Sequence, residues 1–338
     1  MTNSSPKDKP EKDSGQCQGT TLKGEPCKNK ALQGQRFCKM HDHKEDSPCP
    51  GVVKEPEEWS SETISSLRDI LKLMRRRATG KYEVDEHGLD MDLLDQLRPV
   101  ARWIYHKWWR VTATGVENVP AQGRALLVAN HSGVLPFDGA MVIMAIQEEH
   151  PEPRLVRALV LSLFFGIPFT APFLSKMGQV QANPENAERL LKDDQLALVF
   201  PEGVKGIGKP WRRRYQLARF GRGGFVRVAM NARAPIIPVS VVGAEEIYPH
   251  IFNFKFLASL AGIPYFPITP FWPWLGPLGM VPLPTKWYIH FAEPIQIPDM
   301  KYRRSEESLL VTKISNQVRD TIQRCIHERL KVRRSIFF

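Results

Sequence analysis

The sequence predicts an α/β fold: a largely parallel sheet flanked by helices, preceded by a small cysteine-rich module and further helices. Three observations lead there. From Thr112 onward, short apolar runs alternate with helical stretches, the pattern of strands joined by helical crossovers. The 338 residues are 42% hydrophobic and 25% charged, the balance of a folded chain with a sizeable core. Cys17, Cys27, Cys38 and Cys49 cluster in the first fifty residues, whereas Cys325 stands alone near the end. These figures exclude wholesale disorder, a disulfide-stapled miniprotein and a collagen-like fibre. The excess of 47 Lys+Arg over 36 Asp+Glu gives a formal charge of +11. Such a surplus favours an anionic partner: nucleic acid, a phospholipid surface or a phosphorylated substrate.

Residues 1–16 are polar and read as a disordered tail. Their opening, MTNSSPKDKPEKD, has no apolar run and is no secretory signal. Clustered cysteines in a reducing cytoplasm point to metal binding rather than to disulfides. Within 17–41, Cys17, Cys27, Cys38 and His41 supply three thiolates and an imidazole, a set that tetrahedral zinc accepts. Cys38-x-x-His41 is a compact chelating pair, and glycines at 19, 24 and 34 permit the turns. His43 and Cys49 are alternative ligands, and free thiols on a flexible tail are the alternative to a metal site. The run CQGTTLKGEPCKNKALQGQRFCKMH resembles small bacterial zinc-binding modules. Zinc there would be structural, because about 25 residues cannot hold a fold without a metal or crosslink.

Residues 42–58 are rich in charge and proline and read as a linker. Residues 59–111 read as a helical segment. Ile64, Leu67, Ile70, Leu71 and Met74 recur at three-to-four spacing across Ser60–Arg77, and a second helix covers Asp90–Trp109. Trp103, Trp108 and Trp109 stand beside Arg102, Lys107 and Arg110. That grouping suits a membrane interface or an aromatic face packed on the main domain.

The main domain is expected over 112–300. ALLVAN (125–130), LALVF (196–200), PIIPVSVVG (235–243) and WYIHF (287–291) read as strands; Gly139–Glu149 and 220–232 read as helices. A basic helix of about Glu306–Arg334 fills the last segment, 301–338. Two uncharged stretches interrupt this order. Ala158–Ser175 is broken by Pro168 and Pro172, and Phe256–Thr285 holds seven prolines. Neither forms one regular spanning helix. They fit a core, an acyl-chain groove or a membrane surface, and Phe271, Trp272 and Trp274 suit the interfacial zone.

Strand 125–130 runs directly into Asn130-His131-Ser132-Gly133-Val134-Leu135-Pro136-Phe137-Asp138. In open α/β sheets, reactive groups gather beyond the carboxyl ends of strands. A histidine beside a carboxylate is the minimal unit of base catalysis: the carboxylate fixes the tautomer and stabilises the imidazolium. Asp138 equally suits the cap of the following helix. Strand 196–200 ends in Pro201-Glu202-Gly203-Val204-Lys205. From Lys205 to Arg233 there are nine Lys or Arg and no acidic residue, which makes either a phosphate-handling surface or a solvated basic face. Ser132 lies in no G-x-S-x-G elbow, so a serine hydrolase is disfavoured.

NHSGVLPFD at 130–138, FPEG at 200–203 and APIIPVSVVG at 234–243 occur in that order. Together they resemble the successive motifs of the glycerol-phosphate/lysophospholipid acyltransferase superfamily, over about 112–295. The resemblance implies that His131 is the general base and that Asp138 orients it. It implies acceptor binding by Pro201, Glu202 and Gly203, with Arg157 and Lys205 holding the acceptor phosphate. The implied reaction moves an acyl group from acyl-CoA or acyl-carrier protein to a glycerolipid or lysophospholipid hydroxyl. The first candidate acceptor is 1-acylglycerol-3-phosphate. No cofactor is needed, because the thioester donor is already activated. Six residues separate His131 from Asp138 where the common pattern has four, a spacing that resembles a divergent bacterial branch. The implied partners are the donor, the lipid acceptor and a membrane surface, at the inner face of the cytoplasmic membrane and without nucleic acid. Two other readings compete: a basic zinc-containing nucleic-acid binder and a non-catalytic lipid-binding relative. The long uncharged stretches disfavour the first.

Overall fold

The computed structural model describes residues 84–132, 135, 137–166, 170–207, 209–254, 267–298 and 304–338. The cysteine module, the linker at 42–58 and the helix expected over Ser60–Arg77 lie outside the described residues.

Seven strands form one sheet: β1 (Thr112–Thr114), β2 (Ala125–Ala129), β3 (Val156–Val160), β4 (Val180–Gln181), β5 (Leu196–Val199), β6 (Ile236–Val242) and β9 (Tyr288–Phe291). Their order is β1-β9-β6-β2-β5-β3-β4. Neighbours are parallel throughout, except that β6 and β9 are antiparallel. Parallel neighbours require crossovers, hence the alternation of strands and helices along the chain. A short hairpin of β7 (Phe252–Asn253) and β8 (Pro267–Ile268) stands apart from the sheet.

The central strands β2 and β6 are buried along their whole length. Strands covered on both faces read as continuous apolar runs, which made them visible in the sequence. Successive β2 residues point to opposite faces. Leu127 joins Ile237, Ile289, Trp109 and Trp287 and the residues Val142 and Ile146 of helix α2 (Phe137–Glu149). Leu126 and Val128 join the other face. There they meet Leu191 of α5 (Pro184–Lys192), Val226 and Ala229 of α7 (Gly224–Ala232), and Val318 and Ile322 of α8 (Arg304–Val332). The result is helix, sheet and helix in three layers.

Several boundaries differ from expectation for identifiable reasons. Helix α1 (Met91–Trp103) starts where expected, because the Asp90 side chain accepts a hydrogen bond from the Leu93 amide at 2.9 Å. It then widens into a π-helical turn over Ile104–Trp108. Trp109 is fully buried, stacks on Trp287 at 4.5 Å and donates its ring N–H to the Leu283 carbonyl. The core alternative therefore holds for Trp109, whereas Trp103 stays 43% exposed. Helix α7 begins at Gly224 rather than 220, because Gly223 is left-handed at φ 73°. A β-carbon on Gly223 would lie 2.4 Å from the Val311 side chain, so this turn packs directly on α8. The stretch 158–175 divides into the end of β3, α3 (Ser162–Phe165) and α4 (Thr170–Lys176). No helix among the described residues is long and apolar enough to cross a membrane.

Candidate active site

The site is built where β2 ends. Asn130 is buried, and its side chain bonds both backbone groups of Val241: Oδ1 accepts from N–H at 2.7 Å, and Nδ2 donates to the carbonyl at 3.0 Å. The β2/β6 ladder stops at Ala129 opposite Val239, so this amide extends the junction by one further step.

His131 follows and retains 9% exposure. Its Nδ1 lies 2.7 Å from Oδ2 of Asp138, which is wholly buried in the first turn of α2. The same oxygen accepts the Ser132 amide at 2.8 Å, and Oδ1 accepts the Gly139 amide at 2.8 Å. With two amides also directed at it, the carboxylate acts as acceptor, which assigns the ring proton to Nδ1. Nε2 is left with its lone pair. His131 and Asp138 thus meet across their six-residue separation, and the Asp138 carboxylate serves both the strand end and the Gly139 amide of its own helical turn. The Phe200 ring stacks on the imidazole at 4.3 Å, which fixes its plane from the side of β5.

Glu202 binds the second motif to the first. It is buried; Oε1 accepts the His131 backbone N–H at 3.0 Å and Oε2 accepts the Ala218 N–H at 2.6 Å. Lys209 Nζ lies 3.3 Å from Glu202 Oε2 and 2.9 Å from Glu245 Oε1. Glu245 in turn accepts the Tyr215 amide at 2.8 Å. Burial pushes the Glu245 carboxyl above the ordinary carboxylate range, and the Lys209 ammonium works against that shift. Both Glu202 oxygens are therefore occupied within the protein. The resemblance implied acceptor binding by Glu202; the structure shows its carboxylate holding the backbone amides of His131 and Ala218.

Gly203 has φ 55°, the left-handed conformation that glycine adopts without strain. Pro201 beside it is half-buried, and Lys205 is exposed on the short helix α6 (Val204–Ile207). Gly206 sits under the histidine. A β-carbon there would lie 2.7 Å from His131 Cβ and 2.8 Å from Glu202 Cβ. Arg157 on β3 is buried and ion-paired with Asp85. It also donates to Gln195 Oε1 at 3.2 Å and to the Gly178 carbonyl at 3.5 Å. None of these partners belongs to the His131 cluster. Burial opposes ionisation of Asp85, but the Leu89 amide and Arg157 outweigh it and hold its carboxyl below the usual range.

The basic stretch 205–233 divides on folding. Lys209 turns inward, whereas Arg212, Arg213, Arg219, Arg222 and Arg227 are exposed. Sequence reasoning missed the structural parts of Asn130, Gly206, Lys209 and Glu245. Asn130 sits inside the first motif, yet its partner is the backbone of a strand 111 residues away. Cys17, Cys27, Cys38 and His41 lie outside the described residues.

Residues 110–242 match the family model described as Acyltransferase, a span that holds His131, Asp138, Glu202 and Lys209. A Mycobacterium tuberculosis protein described as uncharacterized is 47% identical over 287 residues, covering 82% of this chain and 80% of its own length. The chain thus carries an acyltransferase domain and shares a family with this mycobacterial protein. A protein of Mycoplasma pneumoniae described as a probable 1-acyl-sn-glycerol-3-phosphate acyltransferase is 28% identical to this acyltransferase, over 44% of the chain and 54% of its own. Among solved structures, the LPA acyltransferase PlsC from Thermotoga maritima overlaps 81% of this chain and 90% of that one, with a TM-score of 0.48 and 18% identity.

Proposed function

We propose that this acyltransferase moves an acyl group from a thioester donor to a glycerolipid hydroxyl, with His131 as general base. The observation that carries the proposal is the contact of buried Asp138 with His131 Nδ1 at a strand end, which leaves Nε2 free to accept a proton. Nε2 takes the proton of the acceptor hydroxyl as its oxygen attacks the thioester carbonyl carbon. The tetrahedral intermediate collapses, the C–S bond breaks, and the imidazolium returns its proton to the departing thiolate. Asp138 stabilises the imidazolium in between. The donor is acyl-CoA or acyl-carrier protein, and 1-acylglycerol-3-phosphate is the first candidate acceptor. The activity named for the Mycoplasma relative and the exposed cations beyond the Glu202 turn support that acceptor. Lys205 is the nearest of those cations in sequence. Arg157 would have to leave Asp85 to reach an acceptor phosphate.

The test is product formation from acyl-CoA and from acyl-carrier protein with a panel of lysophospholipids and diacylglycerol, with DNA binding followed in parallel. Acyl transfer to a lysophospholipid is expected. No acylated product from any acceptor, together with tight DNA binding, would favour the nucleic-acid reading. The amino-terminal module is proposed to hold one structural zinc through Cys17, Cys27, Cys38 and His41. Metal analysis should find one zinc per chain, lost in Cys38→Ser; a metal content that this substitution leaves unchanged removes the assignment.

A further inference from the structure

Among the described residues, exposed apolar side chains are concentrated in one part of the chain. Of the twenty large hydrophobic side chains exposed among the described residues, nine fall within 251–254 and 267–281. Trp274 is 74% exposed and Leu278 73%, and Phe252, Phe254, Leu275 and Met280 accompany them. A concentrated apolar patch of this kind marks a binding surface. The patch is built as a unit. β7 pairs with β8, the Thr269 amide donates to the Trp272 carbonyl at 3.0 Å, and the Tyr248 hydroxyl donates to the Met280 carbonyl. Gly279 is buried so tightly that a β-carbon there would lie 2.6 Å from the Phe271 carbonyl oxygen.

The same patch is tied to the catalytic turn. His250, just before β7, has Nδ1 3.1 Å from the carbonyl of Lys209, whose ammonium contacts Glu202. The Trp211 amide donates to the His250 carbonyl at 2.9 Å, and Arg212 and Arg213 follow as exposed residues. An apolar face therefore has a cationic rim on the side that leads to His131. The rim comes from a stretch without an acidic residue between 205 and 233, so it fits an anionic surface. A second copy packed face to face would set arginine against arginine.

We propose that the face formed by 251–254 and 267–281 docks on an anionic lipid bilayer, with Trp274 and Leu278 inserted among the lipids and Arg212 and Arg213 against the headgroups. This deepens the acyl-transfer reading by naming where the lipid substrate is met, yet binding can be measured without turnover. Apolar insertion persists in salt, whereas headgroup attraction between exposed charges is screened within about 10 Å at 0.1 M.

The experiment is co-sedimentation of the full-length chain with phosphatidylglycerol/phosphatidylcholine vesicles and with pure phosphatidylcholine vesicles. Light scattering without vesicles follows self-association. Trp274→Ser/Leu278→Ser should lower partitioning onto anionic vesicles by about tenfold or more. Arg212→Gln/Arg213→Gln should abolish most of the preference for anionic over neutral vesicles. High salt should weaken but not remove wild-type binding. All four positions are exposed, so both variants should unfold at the wild-type temperature. Equal partitioning of the wild type and the Trp274/Leu278 variant overturns the proposal. So does self-association that this variant abolishes, with no vesicle binding by the wild type. Vesicle binding as expected without acyl transfer would retain the docking face and reject the reaction.

Discussion

At the scale of single residues, the site is a set of polar contacts around one imidazole. Asp138 meets three donors, so Asp138→Asn leaves an NH₂ group facing one of them and removes the charge that, in the proposed mechanism, would stabilise an imidazolium. Activity should fall by about 10²-fold or more, with the fold retained, as steady-state kinetics beside circular dichroism would show. An Asp138→Asn enzyme with wild-type turnover would reduce Asp138 to a structural residue. Gly206→Ala tests the geometry from below. Its methyl group cannot fit beside the β-carbons of His131 and Glu202 without moving one of them. Displacing a catalytic group by about 1 Å can cost roughly 10²-fold in rate, so kcat should drop far more than KM rises. His131 and Asp138 were legible in the sequence because one short segment carries both. Lys209 and Glu245 were not, because they stand 36 residues apart and only the fold shows which of nine cations turns inward.

At the scale of elements, two junctions hold the site's supports in place. Asn130→Ala would leave the Val241 amide and carbonyl without their side-chain partner in a buried strand, at about 1–3 kcal/mol for each group. Denaturant unfolding should register that loss, and an unchanged midpoint would contradict the junction's role. Asp85→Asn would leave the buried Arg157 guanidinium without its counter-charge. The loss should be about 1–3 kcal/mol, below that of a fully buried pair because solvent reaches Asp85. The strands β2, β5 and β6 were legible because burial on both faces makes them continuous apolar runs. β1 is three polar or small residues, β3 carries the charged Arg157, and β4 is two residues long. None has a period to read. Helix α5 did leave a signal that went unread: Asn183 before Pro184 is a start motif, and its side chain accepts the Asn186 amide at 2.7 Å.

At the scale of the whole molecule, stability should depend on pH through Lys286. Burial lowers its ammonium to about 8, from an ordinary 10.5. The folded state therefore binds this proton less tightly than the unfolded chain does. Stability should rise between about pH 8 and 10.5 by the linkage of one proton and gain nothing further from it above that window. Lys286→Met should remove this rise in denaturant titrations at successive pH values; an identical slope in both proteins would refute it. The α/β class was legible because alternating runs force a parallel sheet, whereas the antiparallel β6/β9 pairing depends on a return path that no local pattern records. The three-layer fold places one imidazole, backed by a buried carboxylate, at the end of its central strand. The most direct test of that arrangement is the amount of acylated lysophospholipid formed from acyl-CoA by wild type and by His131→Ala. The wild type should give product, and the variant should form about 10²–10⁴-fold less while unfolding at the same temperature. Near-normal turnover in His131→Ala would contradict the account.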